Sequence, residues 1–201
     1  MIKIENSFKQ RILDSALELA EKSSWEDIKL RDIASELEIP LLKIQKHYLQ
    51  KDDLVEAWFD RADQAMLQLS LDGLTQMNHA ERLHCIIFTW LDALAKHKLV
   101  TRQMLWYKLE PFHIHLQVLG LLRISRTVQW IRELAGISDR NLERIINEVG
   151  LTSVYLCTFT YWLWDGSKDQ VNTRIFLERK LDRIENYFCK LEVDNSRQSD
   201  A

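Results

Sequence analysis

Residues 27–63 read DIKLRDIASELEIPLLKIQKHYLQKDDLVEAWFDRAD, and the spacing of their apolar side chains decides the fold. Leu30, Ile33, Ala34 and Leu37 recur at i, i+3, i+4 and i+7, the signature of a short amphipathic helix. The segment PLLKIQKHY follows after a tight connection and predicts a second short helix. From Lys51 onward, Leu54, Trp58, Ala62, Ala65 and Met66 line one face of a longer helix. A short helix pair at an angle, its second member free to enter a major groove, is a DNA-reading arrangement.

The same periodicity extends in both directions. Upstream, a helix is expected from about Ser7, its candidate N-cap, to Lys22. Phe8, Ile12, Leu13, Ala16, Leu19 and Ala20 form its inner face, and Trp25 is expected to pack beneath a three-helix head. Downstream, the fourth helix is expected to end near Gly73, and further helices over about 79–98, 99–109, 112–134, 141–164 and 172–191. Glu110-Pro111 punctuates this series, Gly136 is a C-cap signal, Ser138 an N-cap candidate, and Asp165-Gly166-Ser167 a break. In the last helix Phe176, Leu177, Leu181, Ile184 and Phe188 point inward, and VDNSRQSDA reads as a frayed tail. The expectation is an all-α protein, with a helix-turn-helix head over 1–52 and a helical ligand-binding and dimerisation body over 53–201. Dimerisation is assigned to the last two helices, because Val149 to Trp164 is apolar nearly all round.

Composition narrows the function classes. The 201 residues include only two prolines and five glycines, which suits helices, and the net charge of −3 gives no general basic field. Cys85, Cys157 and Cys189 are far apart among apolar neighbours and are expected to be buried, reduced thiols. The N-terminus carries acids throughout, unlike a signal peptide, and Val149–Trp164 is shorter than the ~20 residues of a membrane span. The expected location is cytoplasmic, with peripheral membrane contact left open. No nucleophile elbow, phosphate-binding glycine loop or HExxH is present, and His113 and His115 at i, i+2 fall on different helix faces. Neither an enzyme nor a metal or other cofactor is expected.

Seven tryptophans remain to be placed. Most belong to packing, but the body carries enough aromatic and aliphatic surface to wall an elongated apolar cavity. Its expected lining is Trp90, Leu94, Met104, Leu105, Leu119, Leu122, Val154, Thr158 and Trp162. Trp130, flanked by Gln129 and Arg132, is expected to be partly exposed. Together with Arg132 it is a candidate contact for a partner protein or a membrane.

RILDSALELAEK, KLRDIASELEI and KIQKHYLQKDDLVEAW resemble the head of the TetR family of bacterial transcriptional regulators. That resemblance implies a helical body that binds a small apolar ligand and dimerises. YWLWDGSKDQVNTRIFLERKLDRIENY resembles the C-terminal signature of the ninth Coq protein family, TetR-fold lipid-binding accessory proteins of ubiquinone biosynthesis. Tyr161, Trp162, Leu163, Asp165, Ser167, Thr173, Phe176, Leu177, Glu178, Arg179 and Lys180 carry the match, with TVQWIRELAG and WFDRADQAMLQ as further similar stretches. It implies a non-enzymatic binder of an apolar lipid or isoprenoid, working beside a ubiquinone-pathway enzyme as a homodimer. The alternative is a ligand-responsive TetR repressor acting on double-stranded DNA. This chain departs from both patterns: it ends in a polar tail where eukaryotic members of the Coq family extend into an amphipathic membrane-binding helix, and PLLK and QKHY replace the usual TetR recognition motifs.

The head carries the evidence on DNA. Over residues 1–60, nine Lys and Arg face thirteen Asp and Glu, a balance of −4. Phosphate neutralisation dominates DNA affinity, so this balance weakens binding. Leu41 and Leu42 replace side chains that could bond base edges. A DNA-reading head would rely on Lys29, Lys43, Gln45, Lys46, His47 and Lys51.

Overall fold

The computed structural model describes residues 2–109, 114–137 and 142–183, and it is helical with no strand among them. The helices are α1 (Ile2–Lys22), α2 (Leu30–Glu36), α3 (Leu41–Gln45), α4 (Lys51–Leu67), α5 (Leu71–Thr75), α6 (His79–Ala95), α7 (Lys98–Leu109), α8 (Ile114–Ala135) and α9 (Leu142–Trp164). A 3-10 turn (Lys168–Gln170) leads into α10 over 171–183. Pro111, His113, Ser138, Ile184, Phe188, Cys189 and the 193–201 tail fall outside the described residues, as do the side chains of His115 and Leu119.

The chain forms two compact units, one of residues 1–64 with 92–120, the other of 65–91 with 121–201. In the first, α1 packs on α2 and α7, and α2 on α3. Ile12, Leu13, Ala16 and Leu17 of α1 are fully buried, with Trp25, Ile44, Leu54 and Met104. Each of the leucine, isoleucine and methionine side chains stabilises by about 1.5–3 kcal/mol. The buried stripe of α1 is rotated from the sequence expectation, since Leu17 is at its centre and Leu19 is only half-buried. Helix α1 also starts at Ile2, so Ser7 lies inside it, exposed, and is no cap. No breaker precedes Ser7, and the helix simply continues through good formers.

Helix α2 begins with the Lys29 amide donating to Asp32 Oδ2 at 2.8 Å. It ends in a Schellman turn: Ile39 N donates to Ala34 O (3.0 Å) and Glu38 N to Ser35 O (3.1 Å). The left-handed residue of this turn is Glu38, φ 53°, where glycine would be unstrained. Pro40 then precedes α3, and Ile44 and Tyr48 pin that helix to the core. Tyr48 Oη donates to Lys9 O at 3.1 Å, and burial pushes its pKa up to about 12. Asp53, at the third position of α4, reaches back so that its Oδ2 accepts the Leu49 and Gln50 amides at 2.7 and 3.1 Å.

A buried polar chain knits α1, α4 and α7. Trp58 Nε1 donates to Thr101 Oγ1 (2.9 Å), and Thr101 Oγ1 donates to His97 O (3.0 Å). His97 Nδ1 lies 2.7 Å from Glu21 Oε1, and its ring meets Trp58 edge-on at 5.6 Å. Arg61 Nη1 pairs with Asp14 Oδ1 at 2.7 Å, anchoring α4 to α1.

In the second unit, α4 ends at Leu67 rather than near Gly73. Amides of Gln68 and Leu69 fold back on Ala65 O and Met66 O, and Gly73 sits in the separate α5. Gly136 closes α8 as expected, at φ 68°, with Ile137 N on Arg132 O at 3.1 Å. Arg82 gathers loose helix ends: Nε donates to Leu74 O (2.8 Å), Nη2 to Met77 O (3.0 Å) and Nη1 to Ala135 O (2.8 Å). The core centres on aromatic rings. Trp90 meets Tyr155 and Phe159 edge-on at 5.3 and 5.2 Å, and Phe159 stacks on Trp162 at 5.9 Å. No described helix is long and apolar enough to cross a membrane.

Candidate functional site

Two surfaces stand out, one in each unit. On the first, α3 buries Ile44 and presents Leu41, Leu42, Lys43, Gln45 and Lys46 to solvent. Leu42 is 62% exposed, and Leu49 just beyond the helix is 78% exposed. Lys29 is exposed, as a phosphate contact would need. His47 and Lys51 are drawn inward instead. His47 packs edge-on against Phe8 at 5.4 Å. Lys51 Nζ donates to Glu26 O at 3.0 Å and lies 5.2 Å from the Trp25 ring centre. Burial lowers the Lys51 pKa against the opposing pull of Glu26, Asp52 and Asp27.

The second surface is a groove of ≈ 600 Å³ on α9 and the start of α10. Its walls include Cys157, Tyr161 and Trp164 from α9 and Asn172 and Phe176 from α10. Tyr161 and Phe176 stack almost parallel with centroids 4.5 Å apart, and Lys180 Nζ lies 5.2 Å from the Phe176 ring. Trp164 is 62% exposed. Cys157 is exposed on this face, which corrects the expectation of a buried thiol. Helix α9 is therefore two-sided: positions 151, 154, 155, 158, 159 and 162 are buried, while 149, 153, 157, 160, 161 and 164 are exposed. Among the described residues no group of His, Cys, Asp or Glu could hold a metal ion.

The turn between α9 and α10 fixes the groove's end. Asp165 is buried, with Oδ1 accepting Ser167 N (2.8 Å) and Oδ2 accepting Thr173 N (2.9 Å) and Thr173 Oγ1 (2.6 Å). Burial alone would raise its pKa, but the bonds from Ser167 and Thr173 prevail and hold it at about 2. Trp162 Nε1 donates to Gln170 Oε1, tying the turn to the aromatic core. Asp169 and Gln170 adopt left-handed backbone, φ 52° and 59°.

The residues expected to line a cavity are distributed differently from this groove. Trp90, Leu94, Met104, Val154, Thr158 and Trp162 are buried, Leu105 is half-buried, and Leu122 is 61% exposed. Trp90 and Trp162 join one aromatic column through Phe159. Leu94, Met104 and Leu105 belong to the first unit, and Trp90, Leu122, Val154, Thr158 and Trp162 to the second. Trp130 is 41% exposed, and Arg132 is half-buried. Sequence reasoning passed over Leu49 and the groove face, although Cys157, Tyr161 and Trp164 stand at i, i+4 and i+7.

Comparison with solved structures decides the family. A TetR transcriptional regulator from Nitrosomonas europaea ATCC 19718 is 44% identical, over 88% of this chain and 97% of that one, with a TM-score of 0.78. The chain belongs to the TetR family. A TetR transcriptional regulator from Rhodococcus sp. RHA1 shares the fold at 14% identity, covering 90% and 96% of the two chains, with a TM-score of 0.64. The COQ9 family model matches residues 123–187, which hold the second half of α8, α9, the Asp165 turn and α10. No curated protein matches. This TetR-family chain thus joins the TetR fold to a COQ9-like segment that contains the groove.

Proposed function

We propose that the protein is a non-enzymatic binder of an apolar, lipid- or isoprenoid-like molecule, acting as a homodimer. The observation that carries this reading is the aromatic-walled groove lying inside the COQ9-like segment. Tyr161, Trp164 and Phe176 offer flat apolar surface, and Thr160 and Asn172 offer a few orienting polar groups. Val149, Val171 and Ile175 expose further apolar surface on α9 and α10. A second copy packed on this face by two-fold symmetry would cover that surface and close the groove over its ligand. TetR-like regulators and COQ9-like accessory proteins are generally non-enzymatic.

The decisive experiment is mass spectrometry of material extracted from the purified protein, with Trp164→Ala as comparison. A lipid or isoprenoid recovered at near-stoichiometric level, and depleted in the variant, supports the reading. Recovery of none, or equal recovery from both proteins, removes it.

A second reading has its own support in the 44% identity to a protein titled a TetR transcriptional regulator. Lys29, Lys43, Gln45 and Lys46 are the exposed groups it would use. It requires one palindromic site bound ~10³-fold or more above random duplex at physiological salt. Its affinity must also fall steeply with salt.

A further inference from the structure

We propose that the outer face of α3 docks on an anionic lipid surface. Leu41, Leu42 and Leu49 are 49%, 62% and 78% exposed, three large aliphatic side chains within nine positions. They are rigidly presented, because Ile44 and Tyr48 between them are buried and Tyr48 Oη is bonded to Lys9 O. Water is a poor solvent for such a cluster, and a clustered exposed apolar patch marks a contact surface.

The charge around the leucines selects the partner. From Ile39 to Gln50 the chain carries Lys43 and Lys46 and no carboxylate, although the whole protein is at −3 and the Asp53 carboxylate holds the Leu49 and Gln50 amides. Lys43 and Lys46 are exposed among the leucines. Glu36 and Glu38 lie towards α2. Leucines interspersed with two exposed ammonium groups match a bilayer interface, where aliphatic side chains enter the acyl boundary and lysines meet headgroup phosphates. Duplex DNA satisfies the lysines but offers the leucines only thymine methyl groups. A shaped protein groove reads anchors at i, i+3, i+4 and i+7, and α3 is only five residues long.

The test is co-sedimentation of the full chain with vesicles of mixed phosphatidylglycerol and phosphatidylcholine, and with vesicles of phosphatidylcholine alone. Partition should favour the anionic vesicles and weaken with added salt. Leu42→Ser with Leu49→Ser should lower it about 10-fold or more. Lys43→Ala with Lys46→Ala should lower it about 30-fold on anionic vesicles and little on neutral ones. Both double variants change only exposed side chains, and an unchanged circular dichroism spectrum and thermal midpoint establish that they fold. No partition of the wild type, or partition indifferent to the leucines, overturns the proposal. Leucine-dependent binding of a random duplex in place of vesicles would make the face a nucleic-acid surface. Leucine-dependent binding to a protein, without vesicle binding, would make it a protein interface, and either result overturns the lipid assignment. Extraction of a groove ligand is unaffected by any of these outcomes, so the two readings fail separately.

Discussion

Replacing Asp165 by Asn tests how the groove's end is held. The carboxylate is 7% exposed and accepts hydrogen bonds from Ser167 N, Thr173 N and Thr173 Oγ1. Its pKa is lowered from an ordinary 3.8 to about 2, which corresponds to about 2 kcal/mol of preference for the ionised, folded form. Asn keeps the shape but loses the charge and one of the two accepting oxygens. The expected loss at pH 7 is therefore about 2 kcal/mol, or a fall of about 4–8 °C in thermal midpoint for a chain of this size. The sign of the pH dependence follows from the folded pKa lying below the unfolded one. The stabilisation is complete above about pH 4 and disappears as pH falls towards 2. Urea titrations of both proteins across this range, at one protein concentration, should show their difference shrinking towards the acid end. A variant within about 0.5 kcal/mol of wild type at pH 7 would refute the argument, since surface changes alone stay inside that range. A difference that persists undiminished at the acid end would refute the electrostatic part of it.

Other substitutions probe the remaining devices. Glu38→Gly should stabilise by roughly 0.5–1 kcal/mol in a denaturation series, because φ 53° suits glycine and strains glutamate. Arg82→Lys should destabilise by about 2–3 kcal/mol despite keeping the charge, since a lysine cannot reach the carbonyls of Leu74, Met77 and Ala135 together. Trp90→Ala should cost about 3–5 kcal/mol by opening the aromatic column, again read by denaturation. Trp164→Ala should leave monomer stability within about 0.5 kcal/mol, the side chain being exposed, and should shift light scattering from dimer towards monomer.

The fold was legible where local chemistry and burial agree. Leu54 and Trp58 are fixed by period alone, and they are buried where the stripe puts them. Gly136 closes α8 because only a residue tolerant of positive φ fits that turn. The same reasoning missed the α2 turn, where Glu38 takes the left-handed position that glycine would signal. In α9 apolar residues occupy every face, so periodicity could not separate the side buried in its own unit from the groove side. Cys157 was misread for that reason: its neighbours Leu156 and Phe159 are apolar, yet its own direction is outward. Lys51 shows the converse, a half-buried basic residue whose contacts with the Glu26 carbonyl and the Trp25 ring leave no mark in a charge count.

Family membership fixes less about the head than it suggests. The TetR fold constrains α3 at Ile44, with Tyr48 just beyond it, the two positions that face the core. Leu41, Leu42, Lys43, Gln45 and Lys46 face solvent and contribute little to folding. A chain can therefore keep the helix-turn-helix geometry while its outer face carries any chemistry at all. Here that face holds lysines able to neutralise phosphates and leucines unable to distinguish bases. The proposed attraction to an anionic surface draws on those lysines, and the leucines give it an apolar component that DNA cannot satisfy. The groove on α9 and α10, proposed above to take an apolar molecule, stands on independent grounds.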